Sequence, residues 1–371
     1  MIVALVTPSY VPAPRGNAVT AGRVALGLER LGVTVSVVDL SQLSEGDAFR
    51  ALAESAPQIV HAFHAFSGGP PALDYARWKG VPLVVSLTGT DVNYDLSHPE
   101  RGITVRKVLE GADALTAFHE TVLGKVADVL PGITAKIRVI PQGVRLGGDA
   151  FSLPPTVPVG RGDVLFLVPA GIRKVKNTLF PISPLGRLAT RFPDFKLLFA
   201  GPVLEEDEGA RLFAAIARCP WAFYLGAVPH DQMASLLRQV DVVVNSSLSE
   251  GGMANSVLEA MSLGRAVLAS DIDGNRSIIQ DGVDGLLYGT PEEFEAKAER
   301  LLLDPALRAR LGRAARRKVV REFSPQREAQ AYLALYHHLL GSRGDQRGGT
   351  RGPRPAGRCL DAPGDARKIF I

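Results

Sequence analysis

The sequence predicts an α/β protein of two Rossmann-like domains facing each other across a cleft, and three observations carry that prediction. Short apolar runs alternate with segments of helical period along almost the whole chain, which specifies parallel sheets with right-handed crossovers. The alternation lapses once, between Arg145 and Gly162, into RLGGDAFSLPPTVPVGRG, a Gly- and Pro-rich stretch that reads as an interdomain linker. At 371 residues the chain exceeds what one core usually organises, and 46% apolar residues with only 6% aromatics point to cores of Val, Leu, Ile and Ala, as in covered parallel sheets.

The elements follow in order. IVALVT is the first strand; after a Pro/Gly loop, TAGRVALGLERLG is a helix stopped by Gly32, and VTVSVVDL is the next strand. FRALAESA then QIVHAF, YARWKG then PLVVSLTG, VRKVLEGA then ALTAF, and VLGKVADVL then IRVIP continue the helix and strand pairs. Beyond the linker, DVLFLVPAG, FKLLFAG, AFYLG, DVVVNSS, AVLAS and GLLYG are strands with helices between them. The expected organisation is a first domain over 1–150, a second over 161–323, and a helix over 325–341 that is a candidate brace for the first domain. A Gly/Pro/Arg-rich tail over 342–371 cannot bury enough apolar surface to fold and is expected to be disordered.

Composition excludes several function classes. The tail holds seven Lys/Arg against three Asp/Glu, which accounts for the entire net charge of +4 and leaves the body neutral. A specific nucleic-acid partner is therefore not expected. No apolar run approaches the roughly 20 residues that span a bilayer. The opening MIVALVTPSYVPAP reads as a strand and not as a leader, so a cytoplasmic location is expected. Cys219 and Cys359 are too few for a disulfide framework or a structural zinc site.

Chemistry concentrates in DVVVNSSLSEGGMANSVLEAMSLG. A buried strand enters a Gly-Gly loop that opens a helix, and the unpaired first-turn amides of such a helix attract phosphate. Gly251 and Gly252 let the backbone approach a ligand closely, with Met253 and Ala254 at the helix entrance. Glu250 before the loop and Glu259 about two turns into the helix flank this anion site, and carboxylates beside a phosphate suit contacts to hydroxyls. A nucleotide sugar supplies both chemistries. In VPAGIRKVKN, a strand end delivers Arg173, Lys174 and Lys176, and cations there can hold a leaving group as its charge develops. In the first domain, Gly16 and Asn17 precede a helix, His61 and His64 sit at a strand end, and LTGTDVNYD offers Thr88, Asp91 and Asn93.

These residues resemble the retaining GT-B glycosyltransferases, a family that includes sucrose synthases and bacterial mannosyltransferases. The resemblance implies that Glu259 holds the ribose hydroxyls, that Glu250 lies beside the transferred sugar, and that Arg173 and Lys176 bind the diphosphate. It also implies that backbone around Gly226, between Leu225 and Pro229, reads the nucleobase, and that the Gly16–Asn17 loop faces the donor phosphate. The chain departs from the pattern in carrying eight residues between the glutamates where seven are usual, and Thr88 where many relatives have a histidine, for which Asp91 or Asn93 is the expected substitute; His61 and His64 stand at a strand end where many relatives carry a sugar-contacting histidine. GNAVTAGR, LTGTDVNYD, PQGV, IRKVK and SSLSEGGMANSVLEAM are similar to the glycosyltransferase 1 domain-containing proteins over nearly the whole chain, and in part to bacterial selenosugar synthases.

The activity so implied is transfer of a hexosyl group from a nucleotide-diphosphate sugar, UDP-linked by preference, to an unidentified small-molecule or glycan acceptor. Attack comes from the face of the departing diphosphate, and neither cofactor nor metal is needed. Asp271 and Asp273 have Asp-x-Asp spacing but sit where relatives carry a GG(N) turn. A selenosugar or thiosugar synthase using UDP-N-acetylglucosamine and selenophosphate, a sugar-nucleotide epimerase, and a non-catalytic sugar-nucleotide-binding protein are the alternatives.

Overall fold

The structure is a computed structural model describing residues 1–10, 16–250 and 252–348. Six strands of the first half, β1 (Ile2–Thr7), β2 (Thr34–Asp39), β3 (Ile59–Phe63), β4 (Leu83–Leu87), β5 (Ala114–Ala117) and β6 (Ile137–Val139), form one parallel sheet in the order β2-β1-β3-β4-β5-β6. Six more, β7 (Val164–Pro169), β8 (Phe195–Ala200), β9 (Ala222–Tyr224), β10 (Val242–Asn245), β11 (Ala266–Ser270) and β12 (Leu286–Tyr288), form a second, ordered β12-β11-β10-β7-β8-β9. Together these are the two Rossmann-like units of a GT-B fold.

The central strands β3, β4, β5, β10 and β11 are buried along their whole length, because helices cover both faces of each sheet. That is why they read as continuous apolar runs without alternation. Strand order reverses beside β1 in the first sheet and beside β7 in the second, so each sheet opens a crevice at the carboxyl ends of those strands.

Between β6 and β7 the chain runs without helix or strand. Phe151, Leu153 and Val157 of this stretch pack into the second core. The Ser235 hydroxyl and the Gln239 amide both donate to the Phe151 carbonyl.

After the second sheet, helix Pro325–Gly348 returns to the first domain. Tyr332 and Tyr336 are fully buried there among Leu5, Val24, Leu28 and Phe63, each contributing about 2 kcal/mol of apolar burial. Glu328 forms a two-pronged ion pair with Arg23, at 2.7 and 3.1 Å, with both side chains nearly inaccessible. Gly27 lies so close to Ala329 that an added Cβ would stand 2.8 Å from its methyl group. The helix continues seven residues past the boundary read from the sequence, which corrects the start of the expected tail. Extending a docked helix gains one backbone bond per residue fixed, even where composition argues for a tail. Residues 349–371 lie outside the described region. Among the described residues, no helix is long and apolar enough to cross a membrane.

Candidate functional site

The two crevices face each other around a cavity of about 530 Å³. Pro8, His64, Thr88 and Phe118 reach it from the ends of β1, β3, β4 and β5, and Ala170, Gly201 and Ser249 from the ends of β7, β8 and β10.

Arg173 and Lys176 both line the cavity, and so does Gly252. The Nε of Arg173 is buried without a hydrogen-bond partner. Lys176 donates to Glu250 Oε1 at 2.5 Å, and the same oxygen accepts from Ser247 Oγ at 2.6 Å and Asn245 Nδ2 at 3.1 Å. Burial alone would raise the Glu250 carboxyl, but the Lys176 ammonium and the two neutral donors outweigh it and hold the group below its ordinary range. Gly251 lies outside the described residues.

Helix Asn255–Ser262 begins on the cavity wall, with Met253, Ala254, Asn255 and Ser256 all lining it. Ala254 keeps extended backbone and no side chain caps the helix, so its N-terminus points uncapped into the cavity. The late start corrects one expectation: Glu259 lies about one turn into the helix and not two. Its Oε1 is 2.8 Å from His230 Nε2, and that hydrogen bond raises the imidazole above its ordinary value against the opposing effect of burial. Gly226 adopts a left-handed φ of 78° and its carbonyl accepts from the Gly201 N–H, one step behind a wall formed here by Val228.

On the opposite wall, Gly16 and Asn17 start helix Gly16–Arg30, and a Cβ on Gly16 would lie 3.8 Å from Asn255 Nδ2. Two helix N-termini therefore meet across the cavity. His64 lines it in the left-handed region, φ 72°. Its Nδ1 accepts from the Ser67 amide, so Nε2 carries the proton and donates to Thr90 Oγ1 at 2.7 Å. Thr88 Oγ1 is buried without a partner on the same wall, and Asn93 lines it as well.

Asp91 is not on the cavity wall, which corrects its expected place in the site. The carboxylate is fully buried and accepts from the amides of Ala65, Thr88, Gly89 and Val92. It shapes the loop from behind, since an acidic side chain can take four amides that the turn would otherwise leave unpaired. His61 likewise turns into the core, between Tyr336 and Ser86 at 2.6 and 2.7 Å, and burial drives its imidazole down to about 3.

Two family models match the chain: "Glycosyl transferases group 1" over residues 163–304 and "Glycosyltransferase Family 4" over residues 43–147. The chain belongs to the GT-B glycosyltransferases. Glycosyltransferase 1 domain-containing protein 1 of Xenopus tropicalis is 27% identical over 331 residues, covering 87% of this chain and 94% of the relative. The solved sucrose-phosphate synthase of Thermosynechococcus elongatus superposes with a TM-score of 0.75 at 16% identity, covering 92% of this chain and all of that one. The Anabaena HepE protein, solved with UDP-glucose, superposes with a TM-score of 0.70 at 18% identity over 92% and 99% of the two chains.

Three wall residues of this glycosyltransferase escaped the sequence reading. His230 follows the segment taken to read the base, in AVPHD, and only its contact with Glu259 marks it. Gln142, from the PQGV segment, donates from its side chain to Met253 O at 3.4 Å and to Asn255 Oδ1, tying the end of the first domain to the helix entrance. Tyr94 is half exposed beside Asn93. Asp271 and Asp273 pair with Arg276, and Asp273 also with Lys125. No group of three or more metal-ligating side chains occurs among the described residues.

Proposed function

We propose that the chain transfers a hexosyl group from a nucleotide-diphosphate sugar, UDP-linked, to an acceptor seated on the first-domain wall, with retention of configuration and without a metal. The observation that carries this reading is Arg173, whose buried Nε lacks a partner while its side chain lines the cavity alongside Lys176 and an uncapped helix N-terminus. Such a constellation suits a diphosphate, which would supply acceptors to all three. Glu259 would take ribose hydroxyls through the oxygen that His230 leaves free. The UDP-glucose held by the Anabaena protein of the same fold favours a uridine donor.

Among the described residues, Glu205, Glu250 and Glu259 are the carboxylates that line the cavity, and each already accepts from a neighbouring donor: the Lys174 amide, Lys176 and His230 respectively. That pairing favours a reaction without an enzymic nucleophile. The acceptor hydroxyl would attack the anomeric carbon from the face the diphosphate leaves, and a diphosphate oxygen would take its proton. Arg173, Lys176 and the amides near Ala254 would strengthen their hold as negative charge grows on the leaving group. His64 would stand as a fixed wall group beside sugar or acceptor and not as a general base, since both ring nitrogens are engaged. Closure of the partly apolar cavity over a bound donor would keep water from it. With its paucity of cysteine, the chain suits the reducing cytoplasm.

Thermal-shift measurements with UDP-, GDP- and ADP-glucose test the donor. At a hundredfold excess over Kd the UDP-sugar is expected to raise Tm by about 4 °C or more, equally with and without EDTA. No shift with any of the three overturns the reading, and a shift abolished by EDTA overturns its metal independence.

A further inference from the structure

Two neighbours of the loop that carries Glu250 are contacted by one first-domain side chain that does not line the cavity. Lys125 lies on helix Thr121–Val129 of the first domain, and its ammonium makes two contacts. It donates to Asn93 Oδ1 at 2.9 Å and pairs with Asp273 Oδ2 at 3.0 Å. Both partners lead to the same loop. Asn93 Nδ2 sits 3.3 Å from Ser249 Oγ and 3.3 Å from the Glu250 carbonyl. Asp273 opens the helical turn Asp273–Arg276, whose Gly274 packs so tightly that a Cβ there would stand 2.5 Å from the Gly252 carbonyl and 2.6 Å from Glu250 Cβ.

We propose that Lys125 is a positioning residue for the donor site, clasping the Glu250 loop from both sides when the domains meet. The physical reason lies in the polarity of the Asn93 amide. A side-chain amide can turn either end toward a neighbour, and its oxygen and nitrogen make opposite demands. By claiming the Oδ1 end, the Lys125 ammonium leaves Nδ2 facing the Glu250 carbonyl, which accepts only from a donor. Without Lys125 the amide can turn over and present oxygen to oxygen. The loop would then lose its tie to the first domain, and Glu250 its fixed register with Lys176.

The hydrogen bond from the same ammonium lowers the Asp273 carboxyl below its ordinary range against the opposing effect of burial, and burial, followed by the Lys125 charge, keeps the neighbouring His119 imidazole below its ordinary value. The Lys125–Asp273 pair and the contacts of Asn93 with Ser249 and Glu250 span the two domains, so they couple the geometry of the donor loop to closure.

The inference rests on the proposed donor site, and its test separates the two. Lys125→Met preserves side-chain length and removes the charge; Lys125→Arg retains donors. In the ligand-free Lys125→Met variant, amide hydrogen exchange over residues 245–256 is expected to quicken by about tenfold while Tm moves by less than about 2 °C. UDP, used as the probe, is expected to bind about tenfold more weakly by titration calorimetry, and Lys125→Arg to return both readouts to within about threefold of the parent. Exchange and UDP affinity unchanged in Lys125→Met overturn the proposal. So does faster exchange spread through β3, β4 and β5, which would mark a general loss of stability. If the parent protein fails to bind UDP, the donor reading falls, and the exchange measurement on the empty protein still decides the role of Lys125.

Discussion

The loops after β7 and β10 bring Arg173, Lys176 and Glu250 to the cavity, whereas the loops after β3 and β4 bring His64, Thr88, Thr90, Asn93 and Tyr94. Both walls have the same origin, the carboxyl ends of parallel strands beside a reversal of strand order. They differ in where the charge goes. On the second-domain wall it stands at the surface of the cavity, with Lys176 paired to Glu250 and His230 to Glu259. On the first-domain wall the carboxylate of Asp91 is turned inward and spent on four backbone amides. One wall thus holds charges that a ligand can re-pair, and the other holds a polar surface whose charge has been used to build it.

The largest expected effect tests the charged wall. Lys176→Ala should lower transfer by about a thousandfold, as losing one donor to a developing anion does. Turnover near the parent level would show that the diphosphate is not held there. On the other wall the order of effects should invert. Asp91→Ala leaves four amides without their acceptor and should cost about 3 kcal/mol of stability, read from urea unfolding. An active, equally stable Asp91→Ala protein would erase the distinction between the walls.

The smallest effect concerns His61, behind the first-domain wall. Its imidazole is depressed to about 3 in the folded protein from an ordinary 6.5. Below 6.5 the unfolded chain binds a proton that the folded chain refuses, so this contribution is fully present above 6.5 and is lost as pH falls toward 3. Between about pH 7 and about pH 5.5 His61 should account for about 1 kcal/mol of lost stability. The His61→Gln variant should lack that increment when urea unfolding is compared at the two values.

The repeated strand and helix pattern made both domains legible, because a strand buried on both faces must be apolar throughout and a covering helix must be amphipathic. The second-domain wall was legible for a related reason. Arg173, Lys176, Glu250 and Glu259 come from two short segments, each at the end of one strand, so local sequence already places them near a single crevice. The first-domain wall was read less well. His61 and His64 are three residues apart and look equivalent, yet one belongs to the strand and turns to Tyr336 while the other belongs to the loop and turns to the cavity. Asp91 and Asn93 are two residues apart in one turn and face opposite ways. His230 could be recognised only through Glu259, 29 residues away.

The sequence by itself determined the two-domain α/β architecture and the segments that bring Arg173, Lys176, Glu250 and Glu259 to one cavity, since each depends on periodicity or on neighbours in the chain. The tertiary structure decided which of several polar side chains face the cavity, that Pro325–Gly348 crosses back to the first domain, and that Lys125 meets Asn93 and Asp273. Those outcomes depend on contacts between residues up to 305 positions apart, such as Arg23 and Glu328. A hydrogen bond or ion pair across that separation carries no local pattern, because the partner is chosen by the packing of two folded domains.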